Sequence, residues 1–263
     1  LRLDGKIALV TGAVGGIGTA IVDVFLAEGA TVILCDKKHD EVAARMTALR
    51  SQGARVFAAA ADITDHAGLS TAVAAAVAEA GAVDIVVANA STGNQSDTLR
   101  DMTPAMWQED IANNVAGQFN TVDVVLAPMK QRRAGSIVLI GSVNGLATFG
   151  NPSYSAAKAA LVSFTKSMAV EYGPFGIRAN IVCPGTVRTP AWNRRIARNP
   201  EILDGLRKWY PLGRVADPAD IAHAACFLGS DQAGFISGVV LPVDGGLMAG
   251  NRIMTSELTL EQI

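Results

Sequence analysis

Tyr154 and Lys158 stand four residues apart in Asn151-Pro-Ser-Tyr-Ser-Ala-Ala-Lys158. On a helix that spacing puts both side chains on one face, one turn apart. A free phenol titrates at about pH 10, too high for useful base chemistry at neutral pH. A neighbouring ammonium favours the phenolate and lowers that value. A tyrosine tuned this way can take a proton from an alcohol or return one to a carbonyl. Many helices share the spacing with a half-buried ring beside a solvated lysine, so the rest of the chain has to decide.

The first apolar run leads directly into Thr11-Gly-Ala-Val-Gly-Gly-Ile-Gly18. Gly12, Gly16 and Gly18 allow a tight turn and close approach of backbone to a phosphate. The helix that opens there offers unpaired N–H groups and a partial positive charge to a pyrophosphate. Asp36 follows the second apolar run, 18 residues after Gly18. A carboxylate at that place can accept from the ribose 2′-hydroxyl of NAD and repels the 2′-phosphate of NADP. Lys37 and Lys38 come next and soften that preference without reversing it, so NAD is expected and NADP disfavoured. Asp62 falls where the adenine ring would lie, and Asn89-Ala90 ends a strand with a small, polar profile that lets a cofactor come close.

Elements must hold these residues in place. Strands are expected at Ile7–Thr11, Thr31–Cys35, Arg55–Ala59, Asp84–Ala88, Ser136–Ile140, Arg178–Cys183 and Val239–Val243, with helices such as Gly18–Glu28, Asp40–Gln52, Leu69–Ala80, Tyr154–Tyr172 and Pro218–Leu228. Several strands are almost wholly apolar, as strands covered on both faces are. Alternating β and α units of this kind imply an α/β fold, a doubly wound parallel sheet of the Rossmann type. No linker or repeat divides the 263 residues, so one domain is expected over 1–263. The stretch at about 188–212 breaks the rhythm and is expected to shape the substrate crevice. The tail 249–263 is expected to pack on a neighbouring subunit.

Composition narrows the classes. Half the residues are hydrophobic, 17% are charged and the net charge is −2, so no global basic field serves nucleic acid or an anionic membrane. Cys35, Cys183 and Cys226 are dispersed, and His39, His66 and His223 share no ligand spacing with them; neither a disulfide framework nor a metal site is expected. Free thiols fit a reducing compartment. No window approaches the ~18 apolar residues of a membrane span. The start of the chain runs through Asp4 and Lys6 into a strand and does not read as a signal peptide. The expected location is cytoplasmic.

Together these residues resemble the short-chain dehydrogenase/reductase family, from about Asp4 to Leu247. Thr11–Gly18 is similar to its T-G-x-x-x-G-x-G turn, and Asp62-Ile63 to its adenine-contacting pair. Ala88-Asn89-Ala90-Ser91 stands where the family usually has N-N-A-G, departing at Ala88 and Ser91. Asn114, Ser142, Tyr154 and Lys158 match its catalytic residues. Asn180, Pro184-Gly185 and Thr189 match N-x-x-x-P-G-x-x-x-T, and Val243-Asp-Gly-Gly246 its last-strand signature. The resemblance implies that Gly12, Gly16, Ile17 and Gly18 receive the pyrophosphate, and that Val187 and Thr189 hold the nicotinamide carboxamide. It also implies that Lys158 holds the nicotinamide ribose and lowers the Tyr154 pKa, that Ser142 bonds the substrate oxygen, and that Asn114 holds a water linking Lys158 to solvent. A homotetramer is implied as well, with the alanine-lined helix after Tyr154 (Ala156, Ala157, Ala159, Ala160) packing against its copy. The family's enoyl reductases usually have a wider Tyr–Lys spacing, so carbonyl/alcohol chemistry is expected here.

Arg188, Trp192, Arg194, Arg195, Arg198, Trp209 and Tyr210 gather in the segment expected to cover the substrate. Arg suits bidentate binding of carboxylates and Trp can stack on sugar faces, which hints at a sugar, polyol or hydroxy acid. Arg194, Arg195 and Arg198 read as the solvated face of a short helix. Arg188, beside Thr189, is the better substrate candidate, with Asn144 and Thr148 after it. Two other readings stay open: a 3-oxoacyl or other ketone reductase working mainly toward the alcohol, and a non-catalytic NAD-binding sensor.

Overall fold

The computed structural model describes residues 1–92 and 98–261. Its strands β1 (Ile7–Thr11), β2 (Thr31–Cys35), β3 (Val56–Ala58), β4 (Ile85–Ala88), β5 (Gly135–Ile140), β6 (Ile177–Pro184) and β7 (Val240–Val243) form one parallel sheet in the order β3-β2-β1-β4-β5-β6-β7. The apolar runs expected as strands agree with these to within one residue at each end. Side-chain alternation splits each run between two cores. Ala8, Val10, Val32 and Leu34 face one, while Leu9, Ile33 and Cys35 face the other.

The described α-helices are α1 (Gly16–Ala27), α2 (His39–Ser51), α3 (His66–Ala80), α4 (Pro104–Ile111), α5 (Gly117–Arg132), α6 (Pro152–Tyr172), α7 (Asn193–Arg198), α8 (Ile202–Leu206), α9 (Pro218–Gly229) and α10 (Arg252–Thr259). Val22 and Phe25 of α1, Val42 and Leu49 of α2, and Ile221 and Ala225 of α9 cover one face of the sheet. Leu69 and Val73 of α3, Val125 and Met129 of α5, and Leu161 and Met168 of α6 cover the other. These are apolar stripes at helical spacing. Helix α3 starts where Asp65 accepts from the Gly68 N–H, and α9 where Asp217 and Asp220 form a capping box.

After β3 the chain crosses to the far side of β1 and enters as β4. Strand order reverses there, and the connections leaving β1 and β4 part to open a crevice at their carboxyl ends. Helices α4 and α5 were not among the helices expected from sequence. They are continuous through a π-turn at Ala112–Ala116, and Pro128 lies inside α5. Asn113-Asn114, Gly117 and Pro128 each break a helical pattern in sequence, while burial of Val122, Val125 and Met129 overrides them. The irregular stretch at about 188–212 contains α7 and α8. The tail folds as α10 with Met254 and Leu258 exposed, and its last two residues lie outside the described ones. Among the described residues no helix is long and apolar enough to cross a membrane, and no group of three or more His, Cys, Asp or Glu could hold a metal ion.

Candidate active site

A cleft of about 1440 Å³ runs along the carboxyl ends of the strands. That exceeds the roughly 300–1,000 Å³ of ordinary small-ligand sites and suits a dinucleotide with a substrate beside it. One end of the cleft is built from β1, the turn after it, and α1. Gly12 has φ +66°, and a Cβ there would lie 2.8 Å from Asn89 Nδ2 and 2.9 Å from Ala90 Cα. A Cβ on Gly18 would lie 1.9 Å from the Gly12 carbonyl oxygen, and one on Gly16 would lie 2.7 Å from Thr189 Cβ. Side chains at all three positions would therefore fill the space that the turn needs. Gly15 caps α1 without any side-chain bond, so no side chain of the cap covers the first-turn amides around Gly16, Ile17 and Gly18. This cradle fits the pyrophosphate of a dinucleotide.

The turn is braced by the end of β4. Asn89 Nδ2 donates to the carbonyls of Thr11 (2.9 Å) and Gly12 (3.3 Å), and the Asn89 and Ala90 N–H groups donate to Thr11 Oγ1. Asn89 thus holds the glycine turn. Gln118, absent from the sequence expectations, is buried on α5 and donates to the Ala90 carbonyl. A glutamine on an otherwise apolar helix face was its signal.

Asp36 leaves β2 into the cleft, and its carboxylate accepts from the Lys38 N–H. Lys37 faces Asp62 at 3.6 Å and Lys38 faces Glu41 at 2.9 Å, so each ammonium has a carboxylate of its own. Burial opposes the Asp62 carboxylate, but bonds from the Thr64 N–H and hydroxyl, with Lys37 beside it, hold its pKa below the ordinary value. Ile63 packs on Gly117, where a Cβ would come within 2.5 Å of Ile63 Cδ1.

The acid–base residues meet at the middle of the cleft. Proline at the first turn of α6 sets Tyr154 and Lys158 one turn apart. Lys158 is 1% exposed. Its Nζ donates to the Ile140 carbonyl at 3.0 Å and stands 5.4 Å from the Tyr154 ring centroid. Burial lowers its pKa to about 8, with the nearby Cys183 a weaker opposing influence. Burial also raises the Tyr154 phenol above its ordinary value. The nearby hydroxyls of Ser142 and Ser91 act against that rise, and Asp110 and Cys183 add to it. The groups that counter burial at Tyr154 are thus hydroxyls. Lys158, expected in that role, is drawn to the Ile140 carbonyl and approaches the ring.

Ser142 follows β5 and accepts from the Asn144 N–H at 3.1 Å. Asn144 lines the cleft, but its Nδ2 donates to the Gly150 carbonyl and Ser155 Oγ, so it braces the loop before Tyr154. Asn114 sits in the π-turn, fully buried; its Nδ2 donates to the carbonyls of Thr92 and Asp110. Such turns are frequent at functional sites because they re-aim side chains. The Cys183 thiol is buried and pushed up to about 11, chiefly by burial, which leaves it protonated at neutral pH.

Beyond β6, Pro184, Gly185, Val187 and Thr189 line the cleft. Arg188 does not. Val187 pairs with Ala216, and the backbone there is extended, so successive side chains point to opposite sides. Val187 and Thr189 face the cleft, whereas the Arg188 guanidinium faces Asp217 at 3.9 Å. Thr148 is likewise exposed and outside the cleft, where its neighbour Phe149 lines it. Trp192, Arg194, Arg195 and Trp209 do line it, and Arg195 lies over the Trp192 ring at 5.2 Å. Tyr210 is buried, and its hydroxyl accepts from the Thr186 N–H at 2.8 Å, bracing the loop.

The family model described as enoyl-(acyl carrier protein) reductase matches residues 12–248. An oxidoreductase of Burkholderia thailandensis, described as a short chain dehydrogenase/reductase, is 51% identical, with 97% of this chain and 98% of that one covered and a TM-score of 0.92. The chain belongs to the short-chain dehydrogenase/reductase family. It is an oxidoreductase for alcohol- or ketone-type substrates with a nicotinamide cofactor. The oxidoreductase UcpA of Salmonella typhimurium is 41% identical over 93% of this chain and 95% of its own length. A gluconate 5-dehydrogenase from Burkholderia cenocepacia, in complex with NADP and tartrate, is 32% identical with a TM-score of 0.89, covering 95% of this chain and 97% of that one.

Proposed function

We propose that this protein interconverts a secondary alcohol and its ketone, with NAD preferred, on a hydroxy acid or sugar acid. The observation that carries the reading is the convergence of Ser142, Tyr154 and Lys158 at the middle of a cleft whose far end reaches Asp36. Gly12, Gly16, Ile17 and Gly18 would hold the pyrophosphate, Asp36 the adenosine ribose, Asp62 and Ile63 the adenine, and Asn89, Ala90, Pro184, Gly185, Val187 and Thr189 the nicotinamide half. When bound, a nicotinamide dinucleotide supplies the hydride acceptor or donor at the substrate carbon. In oxidation the ionised Tyr154 hydroxyl takes the proton of the alcohol O–H. Ser142 donates to the substrate oxygen and holds it in place. Lys158 places a positive charge behind the tyrosine as the phenolate forms, and Asn114 holds the π-turn that backs the site. Reduction runs the same proton steps in reverse.

Charge supports the cofactor and the substrate class. At the adenosine end, three carboxylates (Asp36, Glu41, Asp62) meet two ammonium groups (Lys37, Lys38), leaving one negative charge in excess against a 2′-phosphate. The gluconate dehydrogenase holds NADP, so the preference is argued from these residues and is not inherited. At the other end the described charged lining residues are Lys158, Arg194 and Arg195, all cationic. That favours an anionic substrate, in keeping with the tartrate in the same relative. A homotetramer fits the half-exposed Phe119 beside Phe164, with exposed Ala159, Ala160 and Val170 on α6.

The test is a panel of hydroxy acids and sugar acids, each paired with its neutral polyol, followed by NADH absorbance with NAD⁺ or NADP⁺. Turnover of acids over polyols, with KM raised by Arg195→Ala and unchanged by Arg188→Ala, is expected. Preference for the polyols would refute the anionic class. NAD binding without turnover of any alcohol or ketone would favour the sensor.

A further inference from the structure

Helix α4 has one buried residue, and it is an acid. Asp110 is 2% exposed, on the turn of α4 that runs into the π-turn, and no step of the proposed chemistry uses it. Burying a carboxylate is costly unless hydrogen bonds hold it, and an apolar residue would cover the same face without that cost. The Asp110 carboxylate accepts from Ser153 Oγ at 2.5 Å. Ser153 is fully buried, lies in the first turn of α6 and precedes Tyr154. The Asp110 main-chain carbonyl accepts from Asn114 Nδ2 at 2.9 Å, and the same amide donates to the Thr92 carbonyl at 2.7 Å. Ser91 Oγ holds the other side of that amide, donating to Asn114 Oδ1 at 2.5 Å. Asp110 therefore joins three elements. Its side chain bonds the helix that carries Tyr154, and its backbone bonds a π-turn amide that is itself bonded to the chain leaving β4.

The start of α6 needs an anchor from outside. Its N-cap residue, Asn151, has a left-handed backbone (φ 48°, ψ 69°) and makes no side-chain cap bond, although asparagine is among the best residues for that task. Pro152 follows in the first turn and has no N–H to offer. A carboxylate at this end of a helix is favoured by the unpaired amides and the partial positive charge there. Asp110 brings one from a neighbouring helix.

We propose that Asp110 is a positioning residue for Tyr154: its bond to Ser153 fixes the first turn of α6 against the π-turn and the chain leaving β4. The inference rests on the assignment of Tyr154 as the acid–base group. The phenol is thereby set against the wall of the cleft lined by Asn89 and Ala90. Asp110 does not line the cleft and exchanges no proton in this role. A displacement of about 1 Å in a reacting group can lower a rate by about 10²-fold, so a fixed first turn matters to the chemistry.

The chain has three tyrosines, so biosynthetic labelling with 3-fluorotyrosine reports Tyr154, Tyr172 and Tyr210 by ¹⁹F NMR, and Tyr154→Phe identifies the Tyr154 signal. In the full chain, Ser153→Ala and Asp110→Ala are each expected to broaden or split the Tyr154 resonance, as the ring samples more than one position. Tyr172, at the far end of α6, and Tyr210 should keep their wild-type line shapes. Asp110→Asn removes the charge but keeps an oxygen for Ser153, and should leave the Tyr154 resonance as narrow as in the wild type. An unchanged Tyr154 line in Ser153→Ala and Asp110→Ala, a change shared by all three tyrosines, or Asp110→Asn behaving as Asp110→Ala overturns the proposal. Should Asp110→Ala not fold, Ser153→Ala, which removes a single oxygen, decides alone. The acid–base assignment fails separately, if Tyr154→Phe retains turnover; the line-shape comparison does not depend on it.

Discussion

Replacing Lys158 with methionine removes a charge from a fully buried place while keeping most of the aliphatic volume. Burial lowers the Lys158 pKa from 10.5 to about 8 in the folded protein. The unfolded chain therefore binds this proton more tightly, and stability rises with pH wherever that holds. The penalty is fully present below pH 8, fades between 8 and 10.5, and is gone above. That depression corresponds to about 3 kcal/mol. Between pH 7 and 9.5 about 2 kcal/mol of it is relieved. Methionine does not titrate, although it leaves the Ile140 carbonyl without the Lys158 bond, a cost of about 1–3 kcal/mol that is the same at both pH values. Urea unfolding of both proteins at pH 7 and 9.5, at one protein concentration, isolates the titrating part. The wild type should gain about 2 kcal/mol on the variant as pH rises. A gain below about 0.5 kcal/mol, or a loss, would refute the argument that burial rather than a paired anion governs Lys158.

Three further outcomes are expected. Tyr154→Phe should lower turnover by about 10²–10⁴-fold while leaving the NAD⁺ dissociation constant within a factor of two or so, read by quenching of protein fluorescence. Asp36→Ser should raise the NADP⁺ to NAD⁺ ratio of kcat/KM roughly tenfold, since charges a few ångströms apart interact by about 1–4 kcal/mol near a protein surface; an unchanged ratio would remove Asp36 from the ribose site. Gly18→Ala would put a Cβ 1.9 Å from the Gly12 carbonyl oxygen. It should cost about 1–3 kcal/mol and abolish cofactor-induced thermal stabilisation, whereas alanine at Gly205, which meets nothing within 4 Å, should leave that stabilisation intact.

The sheet was legible because burial on both faces writes itself as unbroken apolar runs, such as Thr31–Cys35, all five of them buried. The glycine turn was legible because steric demand leaves few alternatives to Gly12 and Gly18. Arg188 was misplaced because one-residue adjacency to Thr189 says nothing about side; extended backbone sends neighbours to opposite faces, and the pairing of Val187 with Ala216 fixes which one. Helix α5 was missed because its local signals favour a break and only its packing against the sheet says otherwise. Asn89 lines the cleft as expected and also braces Thr11 and Gly12 from 77–78 residues away, a pairing that no window of the sequence contains.

Burial treats the two ends of the acid–base pair alike: it raises Tyr154 and lowers Lys158, pressing both toward the neutral form. The form useful for taking a proton from an alcohol is the charged one, phenolate with ammonium. That form requires groups whose favourable contribution appears only when charge develops. The Ser142 hydroxyl and the Lys158 ammonium are of that kind, because each gains most when the tyrosine oxygen is negative. The same low-polarity surroundings that destabilise isolated charges strengthen these contacts. The stability lost at Lys158 and the reactivity expected of Tyr154 thus have one physical origin, the closure of α6 over the end of β5. A substitution that opens this closure, such as a larger residue at Gly145, whose Cβ would lie 2.7 Å from the Lys158 backbone carbonyl, should shift both residues toward their ordinary pKa values together.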